Sequence, residues 1–180
     1  MTISIGNDHA GVEYKFEIIK HLKSKGYTVK NYGTDTIDSV DYPDFVHPVA
    51  KDVVSKISDF GILICGSANG VAMTANKYKE VRAGLCWTKE IVELIRQHNN
   101  ANIITLPARF ISTEEAIEMV DVFLNTDFVD RNSNCVISKV SDDETPMEEI
   151  IKKIKPKIQQ MAPPPPPIPT APKFTLKFHK

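Results

Sequence analysis

Through the first two thirds of the chain, short apolar runs alternate with longer stretches of helical spacing. Thr2–Gly6 reads as a buried strand. In Val12–Leu22 the apolar positions Val12, Phe16, Ile19 and Leu22 recur every three or four residues, which predicts a helix packed on that stripe. Tyr27–Tyr32 alternates as a strand does, and Phe45–Ile57 is again helical. Phe60–Cys65 (FGILIC) is almost continuously apolar and bounded by turn residues, the pattern of a strand covered on both faces. A helix is expected to open near Val71, followed by a fourth strand at Arg82–Cys86 and a helix at Glu90–Gln97. Asn102–Leu106 predicts a fifth strand, and Ser112–Leu124 a helix whose Ser112 and Glu115 form a capping-box pair. Regular strand–helix alternation points to an α/β domain over residues 1–128. Its expected form is a Rossmann-like, doubly wound parallel sheet of about five strands with right-handed crossovers.

Beyond that domain the pattern weakens. Residues 129–161 form a polar, divergent segment until Thr145-Pro146-Met147-Glu148, which supplies an N-cap, a proline at the first helical position and a capping glutamate. A helix is therefore expected near 146–160, bent or ended at Pro156. Residues 162–180 hold seven prolines, three lysines and no acids, the composition of a polyproline II or disordered tail. Such a tail either links or docks on SH3-, WW- or profilin-like partners.

Composition narrows the function. The chain is 42% hydrophobic and 25% charged, with a net charge of −1, so no basic field exists to hold nucleic acid or an anionic membrane. No apolar run reaches the roughly 18–20 residues of a membrane span, and the first residues enter a strand without a signal-peptide pattern. Cys65, Cys86 and Cys135 lack metal-site spacing and cannot pair completely. The expectation is a cytoplasmic protein.

Ligands of open parallel sheets bind beyond the carboxyl ends of the strands. Four strand ends carry unusual residues: Gly6-Asn7-Asp8-His9-Ala10-Gly11, Asp41-Tyr42-Pro43-Asp44, Cys65-Gly66-Ser67-Ala68-Asn69-Gly70, and the surroundings of strand five, with His98-Asn99-Asn100 before it and Arg109 after it. Cys65 ends a buried strand and faces a small-residue loop at a helix start, where loop amides and the helix dipole favour a thiolate and an adjacent oxyanion. Against this stands a cysteine that merely finishes an apolar strand. Asp8 equally suits an N-cap beside a solvated His9, His98-Asn99-Asn100 suits helix C-capping, and Arg109 a surface charge. Asp8 occupies the middle glycine of what would be a dinucleotide fingerprint, so a nicotinamide cofactor is not expected.

Together with Gly61–Ser67, Ala75-Asn76-Lys77, Arg82-Ala83 and Arg96–Asn102, these segments resemble the ribose-5-phosphate isomerase B family, related to the galactose-6-phosphate isomerases, over residues 1 to about 128. The resemblance implies interconversion of ribose 5-phosphate and ribulose 5-phosphate through a cis-enediol, with no metal and no cofactor. It implies Cys65 as the base, and the Gly66, Ser67, Ala68, Asn69 and Gly70 loop as the stabiliser of the enediolate. His98 is implied in ring opening, with Asp8, Tyr42 and Asn99 on the substrate and His9, Arg109 and Arg131 toward the phosphate. It further implies a homodimer or tetramer with shared sites. Two positions depart from the family's pattern. Ala68 stands where glycine is usual, and Cys135 or Val136 stands where a second tail arginine is usual, which weakens the phosphate clamp. The rival readings are an isomerase of another aldose and a catalytically weak homologue kept as a binding or scaffold protein.

Overall fold

A computed structural model describes residues 1–129. The expected helix near 146–160, the proline-rich tail at 162–180 and Arg131 lie outside the described residues. Five strands are present: β1 (Thr2–Asn7), β2 (Thr28–Asn31), β3 (Phe60–Cys65), β4 (Ala83–Leu85) and β5 (Ile103–Pro107). They pair in the order β2-β1-β3-β5-β4, every pair parallel. The three central strands are almost wholly buried, whereas β2 and β4 at the edges are only partly so. This is the doubly wound α/β architecture expected of the alternation, with a core on each face of one sheet.

The helices are α1 (Val12–Ser24), α2 (Pro43–Val54), α3 (Asn69–Ala75), α4 (Lys89–Asn99) and α5 (Thr113–Asn125), with a 3-10 turn at His9–Gly11 before α1. Alternation along β3 assigns its side chains: Ile62 and Ile64 join Ile18, Val92 and Phe123 in one core. Leu63 and Cys65 join Val46, Val49 and Val71 in the other. Cys65 therefore belongs to the α2/α3 face. The capping box at Ser112 and Glu115 is formed in both directions. Among the described residues no helix is long and apolar enough to cross a membrane.

Two expectations need correction. Of the stripe expected for α1, Leu22 is buried and Ile19 packs against the core, but Phe16 is 48% exposed, and the other buried residues are Lys15 and Ile18. Lys15 sits on the inner stripe beside Ile18 and Leu22, where an apolar count does not look for it. Helix α2 starts at Pro43, which needs no backbone donor in the first turn, and stops at Val54 rather than Ile57. The stop is enforced by Lys56, held at φ 59°.

The strand order places the topological switch between β1 and β3, because the chain leaves β1 toward β2 and returns on the other side. Asn7 pairs with Ile64, so the residues that follow, Asp8 and Cys65, emerge side by side at that switch. It is the position at which open parallel sheets hold ligands.

Candidate active site

Asp8 is bound from several directions. Its amide donates to Ile64 O (3.2 Å), its carbonyl accepts from the Gly11 amide (3.0 Å), and Oδ1 accepts from the Ala10 amide (2.9 Å). The last contact makes Asp8 the N-cap of the 3-10 turn. The second carboxylate oxygen, Oδ2, accepts from Cys65 Sγ at 2.9 Å. Asp8 thus caps the turn with one oxygen and accepts from Cys65 with the other. Gly11 allows this close approach, since a Cβ there would lie 2.7 Å from Ile64 Cγ2.

Cys65 is buried, and its thiol is pushed up to about 11. Burial is the main cause and the Asp8 carboxylate adds to it, while the amides of Ser67 and Ala68 pull the other way. The expectation of a thiol acidified by its loop is therefore reversed in this state. The nearest proton acceptor is Asp8 Oδ2, toward which the thiol donates.

The loop after β3 carries its own geometry. Ala68 sits at φ 59° and ψ −1° with no exposed surface, a left-handed conformation that disfavours any side chain. Ser67 and Asn69 are exposed. A Cβ on Gly66 would lie 3.2 Å from Arg109 Nε, and one on Gly70 would lie 2.6 Å from Tyr42 Cζ. Arg109 and Tyr42 thus lie across the two glycines that bracket the loop. The loop after β5 is tied back to it, with Ala108 N donating to Cys65 O (3.0 Å) and Arg109 N to Gly66 O (3.1 Å). Asp8, Cys65, Tyr42, Arg109 and the 66–70 loop consequently form one constellation within a single chain.

His9 is adjacent and partly exposed. Its Nδ1 is buried without a hydrogen-bond partner among the described residues. His98 and Asn99 are elsewhere. They occupy the exposed last turn of α4, which feeds the amino end of β5, whereas Cys65 closes the carboxyl end of β3. With strands of five and six residues the two ends are roughly 17 Å apart. One chain does not bring His98 to Cys65.

The segment Arg96–Asn102 divides into scaffold and display. Arg96 is 7% exposed and donates to Ala101 O (2.5 Å) and Thr126 O (3.1 Å), with its guanidinium over the rings of Phe60 and Phe123. Asn100 is the left-handed C-cap of α4, and its carbonyl accepts from Arg82 Nε (2.9 Å). These contacts fix the turn that presents His98 and Asn99 outward, so the C-capping reading holds for Asn100. Sequence reasoning missed Lys15 and Thr34, which with Asn7 form a buried polar group next to Asp8.

The profile of the Ribose/Galactose Isomerase family matches residues 3–140. A protein named probable ribose-5-phosphate isomerase B from Mycoplasma genitalium is 46% identical over 129 residues, 70% of this chain and 84% of that protein. The ribose 5-phosphate isomerase structure from Thermotoga maritima superposes with a TM-score of 0.76 at 41% identity, covering 78% of this chain and 97% of its own. A Mycoplasma genitalium ribose-5-phosphate isomerase B structure with bound ribulose 5-phosphate gives 0.76 at 40% identity, covering 81% and 97%. Fold, strand-end constellation and these similarities agree that the chain belongs to the ribose/galactose isomerase family.

Proposed function

We propose that this chain interconverts ribose 5-phosphate and ribulose 5-phosphate by proton transfer through a cis-enediol, using Cys65 as the base. The observation that carries the reading is the Cys65–Asp8 hydrogen bond at the β1/β3 switch, beneath a loop of small residues. The name of the Mycoplasma genitalium relative and its structure with ribulose 5-phosphate support the substrate class.

In this mechanism the thiol proton moves to Asp8 Oδ2 as the sugar excludes water, leaving a thiolate against the open-chain aldose. The thiolate takes the proton from C2, the electron pair forms the C1–C2 double bond, and the carbonyl oxygen becomes an enediolate. Amides of the 66–70 loop stabilise that charge. Proton redistribution between the two oxygens, then return of the Cys65 proton to C1, gives the ketose. Tyr42 and Asp8 hold hydroxyls, and His9 and Arg109 hold the phosphate through charge-assisted contacts. No metal or cofactor is required, because base and oxyanion donors are supplied by the chain.

His98 opens the ring and Asn99 contacts substrate only if they come from a second copy, so the working form is a homo-oligomer with sites shared between chains. Turnover of ribose 5-phosphate, measured beside free ribose and allose, tests the assignment. The phosphorylated pentose is expected to be strongly preferred, and chelator is expected to leave the rate unchanged. Preference for a free aldose would overturn the substrate while leaving the chemistry of Cys65 standing.

A further inference from the structure

Beside Asp8 lies a run of buried polar groups that the proton-transfer steps leave unused. Lys15 has no exposed surface, and its Nζ donates to Thr34 O at 2.6 Å and pairs with the Asp35 carboxylate, which is 68% exposed. Thr34 O accepts a second hydrogen bond from Asn7 Nδ2 (3.1 Å), and the same Nδ2 donates to Asp8 O (2.8 Å). Two carbonyl acceptors require the donor end of the Asn7 amide, so its orientation is fixed by chemistry. The Thr34 amide donates in return to Asn7 O (3.3 Å), and Gly33 packs so closely that a Cβ there would lie 1.7 Å from Asn7 Oδ1.

A buried lysine is a poor choice for stability alone. Replacing a buried ion pair by apolar groups of similar size is often neutral or stabilising, and a methionine would fill much of this space. What methionine lacks is a donor that holds a backbone carbonyl and a carboxylate together. Asp8 is secured on the β3 side by Ile64 and on the helix side by Ala10 and Gly11. Its tie toward β2 is Asn7, and Asn7 is tied to the carbonyl that Lys15 holds. We infer that Lys15 and Asn7 are positioning residues that clamp the Thr34–Asp35 turn to the end of β1 and so hold Asp8 Oδ2 against Cys65 Sγ. The inference rests on the reading of Cys65 as the base, but its test does not require turnover.

The test is the pH dependence of Cys65 alkylation by iodoacetamide in the intact protein, read on the Cys65 peptide by mass spectrometry. The charged group facing Cys65 is the Asp8 carboxylate; the Arg109 guanidinium lies against the neighbouring Gly66, and Tyr42 packs on the core cluster that holds Cys65. Lys15→Met is expected to loosen Asp8 and move the midpoint down from about 11 toward the ordinary value of 9.0. Asp8→Asn is expected to do the same, and the double variant to go no further. In the isomerase assay Lys15→Met should lower kcat about tenfold to a hundredfold with little change in KM, as misplaced catalytic groups do. Should Lys15→Met fail to fold, Asp35→Asn at the exposed end of the pair gives a smaller shift in the same direction. A Lys15→Met alkylation curve superimposable on that of the parent, whatever happens to Tm, overturns the inference, as does an unchanged curve for Asp35→Asn when Lys15→Met does not fold. Inactivity of the parent on ribose 5-phosphate would instead strike the substrate assignment and leave the alkylation comparison intact.

Discussion

Mixing two inactive variants should restore activity if the proposed site is shared between copies. The perturbation pairs Cys65→Ala, which removes the base, with His98→Ala, which removes the ring-opening group. Within one chain these residues lie at opposite ends of the sheet, roughly 17 Å apart along strands of five and six residues. An imidazole cannot cross that span. In a two-fold dimer each site then combines Cys65 of one chain with His98 of the other. A mixed dimer carries one site with both defects and one with neither. Random association of equal amounts makes about half the dimers mixed, each with half its sites intact, so about one quarter of native activity should return. The assay is ribose 5-phosphate isomerisation after denaturation and refolding of the two variants together, with each refolded alone as control. Recovery no greater than the sum of the separate controls, in a sample shown to contain mixed dimers, would refute the shared site.

Other outcomes follow from single contacts. Arg109→Ala should raise KM for phosphorylated substrates about tenfold to a hundredfold, the worth of one charge-assisted contact, and leave any turnover of free sugars nearly unchanged. Equal losses on both would remove Arg109 from the phosphate site. Ala68→Gly should relieve a left-handed alanine and raise stability by up to about 1 kcal/mol, seen as a higher Tm; a fall would mean that the buried methyl outweighs the strain. Burial raises the Asp52 carboxyl, yet hydrogen bonds from Lys30, Ser4 and Tyr32 hold it below the usual range overall. A lowered folded-state value stabilises the fold above the unfolded-state pKa and loses that contribution as pH falls through the folded value. Asp52→Asn should accordingly cost about 1–3 kcal/mol at neutral pH and flatten the decline of stability on acidification below about pH 4, measured by urea denaturation.

Much of this was legible in the residues because hydrophobic period is a strong signal where a strand is buried on both sides. Phe60–Cys65 has the same bounds in sequence and structure, and Ser112 with Glu115 forms the cap its spacing implies. The strand ends that carry Asp8, Cys65 and Arg109 were legible for the same reason, since parallel sheets send successive strand ends to one edge. Three things were not. The inner face of α1 is led by Lys15, and a charged residue on a buried stripe is invisible to an apolar count. The direction of the Cys65 shift depends on β1–β3 register, which brings a carboxylate to the thiol across 57 positions of sequence. The distance of His98 from Cys65 follows from α4 running back along the sheet to the amino end of β5, whereas grouping residues by the strand they flank does not separate its two ends.

The most direct measurement of the central claim is solvent exchange at the reacting carbons. The parent and Cys65→Ala would each be incubated with ribose 5-phosphate in deuterium oxide, and the recovered sugars read by NMR. If Cys65 moves the proton through an enediol, the parent incorporates solvent deuterium at C1 of ribulose 5-phosphate and at C2 of recovered ribose 5-phosphate, while folded Cys65→Ala incorporates none. Exchange or isomerisation by folded Cys65→Ala at the parent's rate would contradict the account.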